Sequence, residues 1–133
     1  MVLNSSSKVV RIDTDTDSYD VIEMPDNGTC FFAAIARAKG TTVAGERLRL
    51  VNSRHLPAER KAPLRRPREY AQWYDMEAMA KELEATLVIF INDYNAETTR
   101  RHIMCHGAKA TIVIHFEYMR GAGDGHVNLL QKR

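Results

Sequence analysis

Two short stretches hold the residue types that nucleophilic catalysis requires. In MPDNGTCFFAAIARAKG, Met24 to Gly40, a polar turn gives way at Cys30 to an apolar run with helical spacing. A thiol attacks as its thiolate, and the unpaired N–H groups and dipole at a helix N-terminus favour negative charge there. The placement therefore predicts a lowered pKa for Cys30. The turn Asn27-Gly28-Thr29 can aim backbone N–H groups at the oxyanion of an acyl intermediate. Gly28 suits such a turn, because without a Cβ it allows a close approach or a positive φ. The competing reading is a small apolar side chain packed beneath a turn, since free cysteine is commonly buried.

A nucleophile needs a base, and the base needs an orienting group. Near the end of the chain stands Gly125-His126-Val127-Asn128-Leu129-Leu130. On a strand, residues two apart point to the same face. His126 and Asn128 then project side by side. The amide oxygen of Asn128 is expected to accept the Nδ1–H of the imidazole, leaving Nε2 to face a thiol, as in Cys-His-Asn catalysis. The competing reading is a polar pair on the solvent face of an edge strand.

Other chemistry-bearing residues make weaker cases. Cys105 and His106 are adjacent on an expected strand and face opposite sides, so Cys105 reads as core or edge packing. His115, within TIVIHF, reads as a hydrogen-bonded sheet residue, and His55 as a solvated loop residue. Asp13, Asp15 and Asp17 have the spacing of a calcium loop, but Ser18 and Met24 stand where glycine and glutamate are required. The basic stretch Arg60, Lys61, Arg65, Arg66 and Arg68 reads first as a solvated loop and only secondarily as a nucleic-acid site.

The elements that must position these residues follow from pattern. Lys8–Ile12 and Tyr19–Met24 are expected strands, and Cys30–Lys39 a helix stopped by Gly40. A second helix is expected from Gly45 to about Asn52, with Leu48 and Val51 inward. Pro57, Pro63 and Pro67 punctuate the basic loop. Asp75 is expected to cap a helix whose inward face is Met76, Met79, Ala80 and Leu83. Thr86–Ile91 reads as a strand buried on both faces, and Asn92–Thr99 as a turn. His102–Cys105, Ala110–Phe116 and His126–Leu130 complete the strands, with Gly121, Gly123 and Gly125 as a flexible corner. Helices early and strands late indicate an α+β fold with a mixed or antiparallel sheet.

Bulk properties narrow the class. The 133 residues suit one domain, with 44% hydrophobic residues for its core and Met1–Ser7 expected to be frayed. The formal net charge of +2 does not by itself imply a nucleic-acid partner. No apolar run reaches the roughly 20 residues of a membrane span, and the N-terminus lacks the pattern of a secretory signal. Two cysteines permit a single bridge without demanding it, and the histidines lack zinc-type spacing, so no metal is expected.

Taken together, Asn27-Gly28-Thr29-Cys30-Phe31-Phe32 and Gly125-His126-Val127-Asn128 resemble the motifs of ovarian tumour (OTU) family cysteine peptidases, chiefly deubiquitinases. These carry Asp-Gly-Asn-Cys-Phe-Phe and a late Gly-His-Tyr-Asn or Gly-His-Tyr-Asp strand. The middle of the chain is similar too: Tyr70-Ala-Gln-Trp73, an acidic helix from Asp75, then a buried strand. Asn27 departs from the family's aspartate, with Asp26 one place early; Thr29 and Val127 replace asparagine and an aromatic. The resemblance implies a single papain-like α+β domain without cofactor. It would cleave the bond after the Gly-Gly tail of ubiquitin or a related modifier, using Cys30, His126 and Asn128. Asp13 and Asp15 would meet the tail's arginines, and Gly125 would border it, while Trp73 reads as core. A monomer in the cytoplasm (a host's, for a viral or effector protein) is expected, with neither nucleic acid nor membrane as partner. The alternatives are a viral polyprotein protease, a catalytically silent ubiquitin binder with an altered turn, and nucleic-acid binding by the basic loop.

Overall fold

The computed structural model describes residues 11–14, 16–92, 99–118 and 125–133. Among them, six strands form one mixed sheet and four helices accompany it. The strands are β1 (Arg11–Asp13), β2 (Ser18–Ile22), β3 (Thr86–Asn92), β4 (Arg100–Cys105), β5 (Thr111–Tyr118) and β6 (Gly125–Lys132). Their spatial order is β1-β2-β6-β5-β3-β4; β3 and β5 run parallel, and every other neighbouring pair is antiparallel. The helices are α1 (Cys30–Lys39), α2 (Val43–Val51), α3 (Ala58–Leu64) and α4 (Trp73–Leu83).

The main core lies between the helices and one sheet face. Phe31, Phe32 and Ile35 of α1, Met76 and Met79 of α4, and Leu87, Ile89, Ile114 and Val127 of the sheet are its fully buried centre. The opposite face carries a smaller cluster of Ile12, Phe90 and Leu130, flanked by Tyr19, Val21, Val88 and Val113. Thr86–Ile91 is thus covered on both sides, as its unbroken apolar run predicts.

Several boundaries differ from the sequence reading. The first strand is Arg11–Asp13, with residues 1–10 outside the described set, and the second ends at Ile22. The interior of the expected turn after Asn92, and Gly121 and Gly123 of the expected corner, also lie outside the described residues. α2 begins at Val43, because Thr42 Oγ1 accepts the Gly45 N–H and caps it. Its inward residues are Glu46, Arg47, Leu50 and Val51, whereas Leu48 is 58% exposed. Leu48 and Val51 share helical spacing, but the true inward stripe includes two charged positions that a search for apolar residues passes over.

The proline-bounded loop contains α3, which starts just after Pro57, holds Pro63 in its last turn and buries Leu64. α4 starts at Trp73. Asp75 sits at its third position, accepting the Gln72 N–H at 2.8 Å in a capping box. Arg60 grips the same carboxylate through Nη2 at 2.6 Å and Nε at 3.1 Å, and reaches Glu69 at 3.0 Å. Lys61 donates to the carbonyls of Val51 and Ser53. Two residues of the expected solvated basic loop are therefore structural; Arg65, Arg66 and Arg68 are exposed. No helix of the described residues is long and apolar enough to cross a membrane.

Candidate active site

Cys30 is the first residue of α1 and is only 2% exposed. Its Sγ accepts the N–H of Val127 at 3.4 Å, which sets the thiol against the strand residue that follows His126. A contact between residues 97 positions apart thus joins the α1 N-terminus to the start of β6. The predicted lowering of the Cys30 pKa is not found. Burial pushes the thiol up and outweighs the N–H groups of Val127 and Phe31, and the nearby Asp26 carboxylate pushes the same way. The first turn of the helix carries no charged residue to help. A thiolate at Cys30 would thus need an adjacent base.

His126 and Asn128 project from the same face of β6, as alternation predicts. His126 Nε2 lies 3.0 Å from Asn128 Oδ1. That oxygen also accepts the Met24 backbone N–H at 2.7 Å, which identifies it as oxygen rather than the amide nitrogen. Facing an acceptor, Nε2 carries the proton, so in the neutral ring Nδ1 holds the lone pair. The two ring nitrogens thus exchange the parts expected from sequence. Strand spacing fixes which side chains are neighbours but not how the ring is turned. Nδ1 is buried without a hydrogen-bond partner among the described residues, and Asp26 Oδ1 stands 3.4 Å away at charge-pair distance.

The turn before Cys30 is more committed than its residue types suggest. Asn27 Oδ1 accepts both the Thr29 N–H at 2.9 Å and the Thr29 hydroxyl at 2.5 Å. Asn27 N donates to Pro25 O at 3.0 Å, and Cys30 N reaches Asn27 O at 3.2 Å. The Thr29 N–H is therefore occupied. No acceptor among the described residues takes the Gly28 N–H, and the Cys30 N–H makes only the long bond to Asn27 O. Gly28 does not have a positive φ; the close-approach reading is the one that applies. A Cβ there would fall 1.9 Å from the carbonyl oxygen of Arg68. Gly125 plays a similar part, since its Cβ would sit 2.2 Å from the ring tip of Phe116.

The remaining candidates lie elsewhere. Asp13 pairs with Ser18 at the end of β2 that lies beside Lys132, about 20 Å along β6 from His126. Its carboxylate is held by Arg11 at 2.9 Å and Ser18 at 2.6 Å, so it does not rim the site. Asp15 lies outside the described residues. Cys105 is an exposed thiol on β4, and both cysteines are free. Beside the site, an open cavity of about 700 Å³ is bounded by Trp73, Tyr74, Tyr118, Arg100, Arg101 and His102. Tyr118 pairs in register with Gly125, the residue before His126. Trp73, expected in the core, is half-buried, packs against the main core and donates its indole N–H to Tyr118 at 2.9 Å. No cluster of residues suited to a metal occurs among those described.

The mixed six-stranded sheet with its helices is similar in fold to solved OTU domains. The similarity is one of shape: no family model and no curated protein matches the sequence. Among solved structures, the viral OTU domain protease from Taggert virus superposes with a TM-score of 0.70 at 11% identity. That match covers 93% of this chain and 85% of the viral one. The OTU domain of OTUD1 gives 0.67 at 13% identity, covering 85% of each chain. An OTU domain solved in complex with ubiquitin gives 0.61 at 14% identity, covering 100% of this chain and 80% of its own.

Proposed function

We propose that the protein is a cysteine-type peptidase of the OTU kind, hydrolysing the peptide or isopeptide bond after the Gly-Gly tail of ubiquitin or a related modifier. The observation that carries this reading is the imidazole of His126, held through Nε2 by Asn128 with no hydrogen bond at Nδ1, one residue before the Val127 N–H that meets the Cys30 thiol. A histidine merely filling a sheet would have both nitrogens engaged or solvated. The OTU fold and a structural relative solved in complex with ubiquitin supply the substrate class.

Nδ1 of His126 takes the Cys30 proton as Sγ attacks the carbonyl carbon of the substrate's last glycine. The imidazolium so formed keeps its Nε2–H on Asn128. The Gly28 and Cys30 N–H groups receive the oxyanion. Collapse of the tetrahedral species expels the leaving amine, which takes the proton from Nδ1, and leaves an S-acyl enzyme. Water, deprotonated by the same nitrogen, then releases the modifier's carboxylate and restores the thiol. The burial that raises the Cys30 pKa makes this transfer necessary, because little free thiolate waits at neutral pH.

The test is reaction with ubiquitin bearing an electrophile at its C-terminus. A covalent adduct should form with wild type, be absent from Cys30→Ala and be slowed at least about a hundredfold in His126→Ala. An adduct at Cys105, or none with folded protein, overturns the assignment.

A further inference from the structure

The strongest unassigned feature is a buried cation with no carboxylate in contact. Arg47, on α2, is 8% exposed. Its guanidinium is spent on backbone carbonyls: Nη1 donates to Leu64 O at 2.9 Å and Glu69 O at 3.4 Å, while Nη2 donates to Pro67 O at 2.9 Å and Gly28 O at 3.2 Å. The ring of Phe32 lies 4.3 Å beneath it. Burying a charge is costly unless its donors are satisfied, and a planar fork of five N–H groups can satisfy several carbonyls where an ammonium cannot. A structure that needed only packing would be served by a leucine or methionine here.

Of the carbonyls it holds, Gly28 O belongs to the turn that precedes Cys30. That carbonyl and the Thr29 N–H are the two poles of one peptide group. Arg47 grips the first, and Asn27 Oδ1 grips the second at 2.9 Å. The glycine itself lies flat against the Arg68 backbone, in the same 64–69 segment that Arg47 ties down. A peptide held at both poles cannot rotate. The Gly28 N–H and the Cys30 N–H belong to the two flanking peptides, so holding the central one limits how far either can swing.

We propose that Arg47 is a positioning residue for oxyanion stabilisation: with Asn27 as counter-grip, it locks the Gly28–Thr29 peptide, and so the donors that receive the tetrahedral oxyanion. This rests on the acyl-transfer reading above. It also gives Asn27 a task, as acceptor for Thr29 rather than donor to substrate. Positive charge alone is not sufficient on this part of α2. The ammonium introduced by Arg47→Lys could reach one carbonyl but not bridge Gly28 to the 64–69 segment.

The experiment compares two reactions of the same thiol in wild type, Arg47→Lys and Asn27→Ala. Ubiquitin ending in an aldehyde forms a hemithioacetal whose oxygen needs the donors. Iodoacetamide alkylates sulfur without creating an oxyanion, and its rate is read at Cys30 by peptide mapping because the exposed Cys105 also reacts. Both variants should bind the aldehyde at least about tenfold more weakly, and lose kcat to a similar degree with KM within about twofold, while alkylation stays within about twofold of wild type. A general loosening of the fold would change alkylation and melting temperature together, which overturns the proposal. So does unaltered aldehyde affinity in folded Arg47→Lys. Should that variant not fold, Asn27→Ala decides, since its exposed side chain carries no core packing and a normal aldehyde affinity there overturns the clamp. Wild type that is alkylated yet binds no aldehyde overturns the acyl-transfer reading and this inference with it. Wild type that binds the aldehyde no more tightly than either variant overturns the inference alone.

Discussion

Two histidine–asparagine pairs stand on the same face of the sheet, on neighbouring strands. His126 meets Asn128 at 3.0 Å, and His115 meets Asn92 at 2.7 Å, in each case through Nε2 and Oδ1. His115 is even the register partner of Asn128. Their surroundings separate them. His115 is 3% exposed, and desolvation, aided by the nearby His126, depresses its pKa to about 4. It stays a neutral strut. His126 opens at the start of β6, where a buried thiol rests against the next residue and its second nitrogen makes no hydrogen bond among the described residues, with only the Asp26 carboxylate near it at 3.4 Å. A histidine–asparagine pair is thus not by itself a catalytic device; what sets the His126 pair apart, and what the proposed mechanism uses, is the thiol against β6 and the ring nitrogen left without a hydrogen bond.

The sharpest break of this comparison is a pair of substitutions. His126→Ala should lower kcat by about a thousandfold, the range expected for loss of a general base, with little change in melting temperature. His115→Leu should do the reverse, keeping kcat within about fivefold but costing roughly 0.5–1.5 kcal/mol, because Asn92 Oδ1 loses one buried donor and keeps the Thr99 hydroxyl. Urea melts and steady-state kinetics on both variants would reveal whether the roles are exchanged. Asn128→Ala comes next, with an expected loss of about ten- to a hundredfold in kcat. It frees the imidazole to choose the wrong tautomer and leaves the Met24 N–H without its acceptor.

How much of this the sequence shows depends on the range over which each cause acts. The α1 helix, the doubly covered β3 and the shared face of His126 and Asn128 follow from local period and spacing, and they are legible. α3 is not, because Pro57, Pro63 and the basic residues around them look like a loop. What holds α3 is tertiary: Arg60 reaches Asp75 fifteen residues away and Lys61 caps the end of α2. The lowered pKa expected at Cys30 fails for a related reason. A helix terminus can be read locally, but the burial that outweighs it depends on β6, almost a hundred residues on. Arg47 is not legible either, because an apolar stripe on α2 leaves it out and its partners are backbone carbonyls that no side-chain pattern announces.

A third way to sharpen the contrast uses pH. A buried histidine held neutral takes up no proton in the folded state until pH falls near 4, whereas the unfolded chain binds one below about 6.5. The stability from His115 is therefore complete above about pH 6.5 and lost as pH falls through the window down to about 4. The slope is about 1.4 kcal/mol per pH unit, amounting to roughly 3 kcal/mol across it. Chemical denaturation at several pH values should show this slope in wild type and in His126→Ala, and a shallower one in His115→Leu. A slope that instead vanishes with His126 would assign the buried titration to the wrong pair.

The smallest expected effect concerns Asp26, the exposed carboxylate that sits 3.4 Å from His126 Nδ1 and pushes the Cys30 pKa upward. Its two influences oppose each other once the thiolate–imidazolium pair forms: it repels the sulfur and attracts the ring. The side chain is 79% exposed, so solvent screens both. Asp26→Asn removes the repulsion from a thiol buried beside it, while the ring retains Asn128. Alkylation of Cys30 by iodoacetamide at about pH 7 and low salt should rise by no more than about threefold, and the gain should shrink in about 0.5 M salt as charges at the site are screened. A large fall in rate would mean that Asp26 holds the imidazolium more than it repels the thiolate. The orienting role would then be divided between Asn128 and a carboxylate one place earlier than the OTU motif puts it.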